Sequence, residues 1–174
     1  YIITHMLTSN SISALRRFLP YTLAAILILT AIWYVTLAWA SINASRAETA
    51  LNIWDMTGQI PSRHDWNTTY AAQHRALNLS PSNPEYLEQM AHLYMWRSLS
   101  HPTGSEKNKA SIALAHDYYL QAANSTPSWP NYWSGIIQIK RLAWQYDNDM
   151  DRAIRNAAHY GPWFASNQQI ILRA

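Results

Sequence analysis

The sequence predicts an all-α protein, with one N-terminal transmembrane helix followed by a short stack of antiparallel helix pairs. Residues 21–40 form an uninterrupted run of uncharged, mostly apolar residues. The later sequence carries apolar residues at a spacing of three to four, which is typical of amphipathic helices. Prolines at 81, 127 and 162 end these stretches. The chain has 4 glycines in 174 residues, which argues against a sheet built from tight hairpins.

Residues 21–40 are long enough to cross a bilayer, because about twenty helical residues span the roughly 30 Å hydrocarbon core. Arg16 and Arg17 precede the run and favour a cytoplasmic N-terminus. Aromatic residues that suit a headgroup boundary gather at its C-terminal end: Trp33, Tyr34 and Trp39. We therefore expect a single-pass protein of a bacterial inner membrane, in contact with lipid, with its C-terminal domain in the periplasm.

A removable signal peptide is the competing interpretation, because Ala38-Trp39-Ala40 carries the small residues of a cleavage site. The apolar run exceeds the usual signal core of about 7–15 residues, which favours an uncleaved anchor. The sequence then divides into a cytoplasmic segment at 1–17, a transmembrane anchor at 18–41, a juxtamembrane helix and linker at 42–61, and a helical extracytoplasmic domain at 62–174.

The first helices after the anchor are predicted from their breakers and caps. A helix is expected over residues 42–56, either continuous with the anchor or kinked from it, before a breaker cluster. Asp65 is the predicted N-cap of a helix that runs to Leu79. Ser82, with Glu85 three residues later, forms a capping-box pattern that predicts the start of the next helix.

The remaining elements follow the same logic. The stretch at 98–111 is predicted to be a loop about a dozen residues longer than its counterparts, because the prolines at 81 and 127 are 46 residues apart. Later helices are expected over about 106–124, from 129–133 to Ala143, over 151–160 with Asp149 as the cap, and from Trp163 to Leu172.

The helix pairs resemble tetratricopeptide (TPR) repeats. The prolines at 127 and 162 are 35 residues apart, close to the TPR period of about 34. The stretch 76–81, Ala-Leu-Asn-Leu-Ser-Pro, nearly matches the usual ending of that repeat. Departures are the long loop at 98–111, a loose consensus at the two later endings, and a last helix with no predicted capping helix after it.

The wider organisation resembles the VpsP-type polysaccharide-biosynthesis family over about residues 12–174. A basic N-terminus and one anchor precede helix pairs that contain the stretches LSPSNPEYL, PSWPNYW and HYGPW. This resemblance implies a structural or assembly role beside exopolysaccharide machinery, and it brings no catalytic residues.

Composition excludes several classes of function. The pI of about 9.2 suggests nucleic-acid binding, but Lys and Arg alternate with Asp and Glu and form no basic stripe, so no nucleic-acid partner is expected. The absence of cysteine excludes disulfides, thiolate metal sites and cysteine nucleophiles.

Candidate chemical motifs are weak. His92 follows Glu88 by four residues, which predicts a surface pair on one helix face. Residues 147–151 begin like a calcium loop but lack its glycine and its final glutamate, so they predict a solvated turn. No Gly-x-Ser-x-Gly stretch occurs. We therefore expect no enzymatic activity, no cofactor and no metal.

Four aromatic residues near helix starts are the candidate partner contacts: Trp129, Tyr132, Trp133 and Trp163. They could pack between repeats, contact a protein partner, since Trp and Tyr are favoured anchors of interfaces, or stack on a sugar polymer. The leading hypothesis is a non-catalytic scaffold for protein partners in exopolysaccharide assembly. The alternatives are an accessory subunit of an inner-membrane enzyme complex and a carbohydrate-active periplasmic protein.

Overall fold

A computed structural model describes residues 2–163 and 165–172, with side chains for residues 18–163, 168–170 and 172. In this part of the chain helices follow one another and no strand occurs, which confirms the predicted all-α class. The helices are α1 (Ile2–Thr57), α2 (Arg63–Leu79), α3 (Pro84–Leu99), α4 (Glu106–Ser125), α5 (Pro130–Leu142), α6 (Asn148–Tyr160) and α7 (Ala165–Leu172). The chain forms two compact units, one up to Trp39 and one from Ala40 onward.

The first unit is helical and apolar. Among the described residues, the one helical stretch long and apolar enough to cross a membrane is Phe18–Thr57, which continues past the first unit, and an 18-residue window of it has a mean hydropathy of 2.1. Large apolar side chains between Phe18 and Val35 are exposed around the helix, as expected of a lipid-facing surface. Thr22 and Thr36 donate their hydroxyls to carbonyl oxygens one turn earlier, which satisfies these groups without water.

The second unit is a chain of helices in which neighbours pack on each other. Helix α5 contacts α3, α4, α6 and α7, so it is surrounded by other helices. One core lies among α3 to α6, and a second is rich in tryptophan and joins the last part of α1 to α2 and α3. Fully buried alanines keep the helix backbones close in the first of these cores: Ala91, Ala115, Ala122, Ala123, Ala153 and Ala157.

Three helices, α2, α4 and α6, end in the same way. In each, the backbone N–H of the residue before a proline donates to the carbonyl oxygen of a fully buried alanine four residues earlier. The donor and acceptor pairs are Ser80 with Ala76 (3.1 Å), Thr126 with Ala122 (3.0 Å) and Gly161 with Ala157 (3.0 Å). The shared geometry follows from the next residue, because proline disfavours the helical region for the residue before it.

At three helix starts the N-cap residue differs from the predicted one. Ser62 caps α2 in place of Asp65: the Ser62 hydroxyl accepts from the Asp65 N–H and donates to the Asp65 carboxylate. Asn83 caps α3 in place of Ser82, because the proline that follows Asn83 holds it in the extended conformation a cap requires. Asp147 caps α6 in place of Asp149, so that helix begins at Asn148.

The prediction of a long loop over residues 98–111 is also wrong. Helix α3 continues to Leu99 and α4 begins at Glu106, so the added residues lengthen helices instead of the connection. Ser105 caps α4 and the amide of Asn108 donates to the carbonyl oxygen of Ser98, which ties the two helices together at this turn. By contrast, the helix predicted over 42–56 is confirmed as a continuation of α1, which ends at Thr57.

Candidate functional site

Alternate helices of the second unit line one groove, which we call the α3–α5 groove. Its polar half is a cavity of about 340 Å³. It is lined by Asp55 near the end of α1, by Glu88 and His92 on α3, by Asn131 and Gln138 on α5, and by Ile170 on α7. Two carboxyl groups therefore face this half of the groove, and none of the described residues that line it is Lys or Arg.

Asp55 is held in place by two neighbours. Its Oδ1 atom lies 3.0 Å from His92 Nε2 and accepts a hydrogen bond of 3.1 Å from Trp96 Nε1. Partial burial alone would raise the pKa of Asp55, but the hydrogen bond and charge of His92 and the hydrogen bond from Trp96 lower it overall. Asp55 therefore presents an ionised carboxylate at the edge of the groove at neutral pH.

Glu88 behaves differently although it faces the same cavity. Burial raises the pKa of its carboxyl from 4.5 to about 7, with the negative charge of Glu85 adding to the rise and His92 opposing it. His92 lies on the same groove-facing side as Glu88, as their spacing predicts, but its side chain hydrogen-bonds to Asp55. At Glu88 burial therefore outweighs the attraction of His92.

Replacing Glu88 by glutamine is expected to flatten the pH dependence of stability between pH 5 and 8. A raised carboxyl pKa stabilises the fold below the unfolded-state value of 4.5, and this contribution is lost as the pH rises through about 7. Because Glu88 is partly exposed, we expect Glu88→Gln to exceed the wild type by about 1 to 2 kcal/mol at pH 8 and to equal it near pH 4.5.

Thermal unfolding followed by circular dichroism at several pH values measures this difference. Asp55, whose lowered pKa acts on stability only in more acidic solution, and the histidines are common to both proteins, so the difference isolates Glu88. Parallel pH profiles for the two proteins would show that Glu88 is charged at neutral pH.

The aromatic half of the α3–α5 groove continues from the polar half. A cavity of about 510 Å³ shares Met95 and Gln138 with the polar half. It is further lined by Leu99, Thr103, Arg141, Leu142, Trp144 and Tyr146. The groove therefore runs from two carboxyl groups at one end to exposed aromatic rings at the other.

The four predicted contact residues separate into two classes. Tyr132 and Trp133 are 4% and 5% exposed, and the Trp133 indole donates to the Pro127 carbonyl oxygen at 2.7 Å. They pack in the core because α5 is surrounded by other helices, so a contact role is not available to them in this fold. Trp129 and Trp163 are 45% and 91% exposed and keep that possibility, but they line neither half of the groove.

The predicted membrane-boundary aromatics lie on α1. The rings of Trp33 and Tyr34 are exposed and meet edge to face at 5.3 Å between centroids, and Trp39 is about half exposed. The side chains of Arg16 and Arg17, which carry the orientation prediction, lie outside the described residues.

No group of three or more His, Asp or Glu side chains in the described part of the chain is arranged to hold a metal ion. The acidic turn predicted at 147–151 is a helix start, in which Asp147 caps α6 and binds Lys140 Nζ at 2.6 Å. Burial, with the charges of Glu88 and Asp55, raises the pKa of Tyr119, so the phenol at the floor of the polar half stays protonated.

Sequence reasoning missed Asp55, Trp144 and Tyr146 as groove residues. Asp55 reaches Glu88 and His92 only through tertiary packing, and no sequence pattern links them. Trp144 could have been noticed in the sequence, because α5 ends there without the glycine or proline that normally follows a helix.

Comparison with known proteins adds no relative. No protein-family model matches this chain, and no curated protein matches it.

Proposed function

We propose that this chain is a non-catalytic, membrane-anchored scaffold. Its TPR-like helical domain binds a protein partner in the α3–α5 groove on the periplasmic side of the inner membrane. The resemblance described above suggests exopolysaccharide biosynthesis or assembly as the setting. The continuous groove with charged and aromatic ends is the observation that carries the proposal.

The repeated helix endings support a TPR-like solenoid. The endings of α2, α4 and α6 share one hydrogen bond, one buried alanine and one following proline. The same three helices also bury the residue twelve positions before each proline: Thr69, Ala115 and Met150. The helices that follow α2 and α4 also begin alike. Helix α3 begins at Pro84 and α5 at Pro130, each three residues after the proline that follows the preceding helix. Such internal periodicity is the property of stacked helical pairs.

The groove supports binding in place of catalysis. Apart from Tyr119 of α4, its polar half is lined by α1, α3, α5 and α7, the first helix of each proposed pair, so the stack presents one continuous surface. Solenoids use surfaces of this kind to hold extended segments of partners. The two carboxyl groups and the histidine of the polar half sit beside amide and apolar side chains, a combination suited to recognition.

The exposed apolar surface of α1 supports membrane anchorage. Side chains such as Leu27, Leu29 and Val35 are exposed without partners of their own in the first unit. A partner enzyme with transmembrane helices could cover that surface, which is how the accessory-subunit alternative would differ from a lipid-facing anchor.

A matched pair of groove variants tests the proposal. Gln138 lies where the two halves meet, and Gln138→Arg should block the groove. Gln121 is exposed on α4 and lines neither half, so Gln121→Arg is the control with the same change. Tagged full-length protein is purified from native membranes in mild detergent, and attached proteins are identified and quantified by mass spectrometry.

We expect one protein near stoichiometric amount with the wild type and Gln121→Arg, reduced at least about tenfold by Gln138→Arg. Glycosyltransferase or polymer-export components would place the scaffold in polysaccharide assembly. An abundant enzyme of another kind would make the chain its accessory subunit. A partner held equally by all three proteins would refute groove binding.

A further inference from the structure

The end of α5 holds a tryptophan in an unusual backbone conformation. Trp144 has φ of 55°, in the left-handed region, and it is the one non-glycine residue with positive φ among those described. Its neighbours close the helix, with the Gln145 N–H donating to the Lys140 carbonyl oxygen at 2.9 Å. Glycine is the ordinary residue at this position, because a Cβ atom is disfavoured there.

Burial of the side chain does not offset the free-energy cost of this backbone conformation, because Trp144 is 74% exposed. A strained residue kept on the surface, where its side chain gains little from packing, is a reason to look for function. The indole stands between the aromatic half of the α3–α5 groove and a second cavity of about 380 Å³ lined by Ile112, His116 and Gln145. The helix end therefore displays a large flat ring at the mouth of the groove.

We propose that the α3–α5 groove takes an extended segment of a partner protein that places a basic side chain between Asp55 and Glu88 and an apolar side chain against Trp144. This inference rests on the proposed function, and it adds the chemistry of the bound segment.

The charged residues that line the groove determine which end holds the basic side chain of the segment. Asp55 and Glu88 make the polar half attractive to a cation, and a Lys or Arg there would pair with both carboxyl groups. Arg141 lines the opposite end and would repel a second cation. The aromatic half instead offers Leu99 and Leu142 beside Trp144, which suits an apolar side chain.

The length of the groove sets the spacing. Glu88 and Leu99 are about eleven positions apart on α3, which corresponds to about 17 Å along the helix axis. An extended chain covers this distance in about five residues at roughly 3.3 Å each. The basic and apolar anchors should therefore be separated by about five positions in the partner.

A displayed library of random peptides about twelve residues long, enough to span the groove, tests the inference. The baits are full-length protein in detergent as wild type, Trp144→Gly, Trp144→Asn and Trp129→Ala, the last a control for loss of an exposed indole outside the groove. Gly and Asn both tolerate positive φ, so these variants should melt no lower than the wild type. Weaker binding would then reflect the missing ring.

We expect the wild type and Trp129→Ala to enrich peptides with Lys or Arg about five positions from Leu, Ile, Met or Phe. Enrichment of the apolar position should fall at least about tenfold with both Trp144 variants. Absence of enrichment, or a pattern unchanged in the Trp144 variants, overturns the inference. Binding to a glycan array that depends on Trp144, without peptide enrichment, overturns it in favour of a saccharide. If Gln138→Arg abolishes capture of a partner but the library yields no basic–apolar pattern, this inference is wrong and the proposed function is unaffected.

Discussion

Replacing Trp66 by alanine is expected to destabilise the helical domain by about 3 to 5 kcal/mol, the usual cost of removing a large buried aromatic side chain. Trp66 is buried in the tryptophan-rich core, and its indole donates to the Leu93 carbonyl oxygen at 2.9 Å. Its ring stacks on Tyr70 with centroids 5.0 Å apart and lies 4.6 Å from the Arg97 guanidinium. One side chain of α2 thus contacts α3 through a hydrogen bond and a cation–π contact, and it stacks on Tyr70 of its own helix.

Unfolding of the full chain in detergent, followed by far-ultraviolet circular dichroism against urea, measures this loss. Trp163→Ala makes the same chemical change at a side chain that is 91% exposed, and it should shift stability by less than about 0.5 kcal/mol. Trp66→Phe keeps most of the apolar surface and should fall between the two. A loss below about 1 kcal/mol for Trp66→Ala would mean that α2 is not anchored on α3 through this ring.

The helix ends were largely predictable because proline and small residues act locally. The stops at prolines 81 and 127 and the starts at Pro84 and Pro130 follow from the restrictions that proline places on its own backbone and on the preceding residue. The loop predicted at 98–111 failed because no local rule says whether added residues extend a helix or a connection. There the amide of Asn108 reaches across to Ser98 and fixes a short turn.

The groove could be predicted only in part. The shared face of Glu88 and His92 follows from their spacing, but the contact of His92 with Asp55 depends on how α1 packs on α3.

The burial of the aromatic candidates on α5 could not be predicted from the sequence pattern. An amphipathic pattern assumes one buried face, whereas α5 is surrounded by four helices and buries consecutive residues from Tyr132 to Ile137. The sequence left open whether Tyr132 and Trp133 pack between helices or contact a partner, and periodicity alone could not decide between the two.

Replacing Gly135 by alanine is expected to destabilise the domain by about 1 to 3 kcal/mol, although the same change in an ordinary helix stabilises it by about 1 kcal/mol. A Cβ atom at Gly135 would overlap the ring of Tyr119, which lies against the backbone of α5. Tyr119 is buried and comes from α4, so the ring has little room to withdraw. Urea unfolding of the full chain measures the sign of the change, and a gain in stability would contradict the close packing.

A double-mutant cycle with Tyr119→Leu separates this contact from a general effect on the helix. A smaller side chain at position 119 leaves space for the new methyl group, so Gly135→Ala should be tolerated far better in that background, with a coupling of at least about 1 kcal/mol. Simple additivity would assign the loss to something other than the contact with Tyr119. The glycine also bears on the proposed binding, because it lets the Tyr119 ring reach beneath α5 and contribute to the lining of the polar half. Gly135→Ala should therefore weaken partner capture as well as stability, whereas Trp66→Ala, whose ring lies outside both halves of the groove, should act through stability alone.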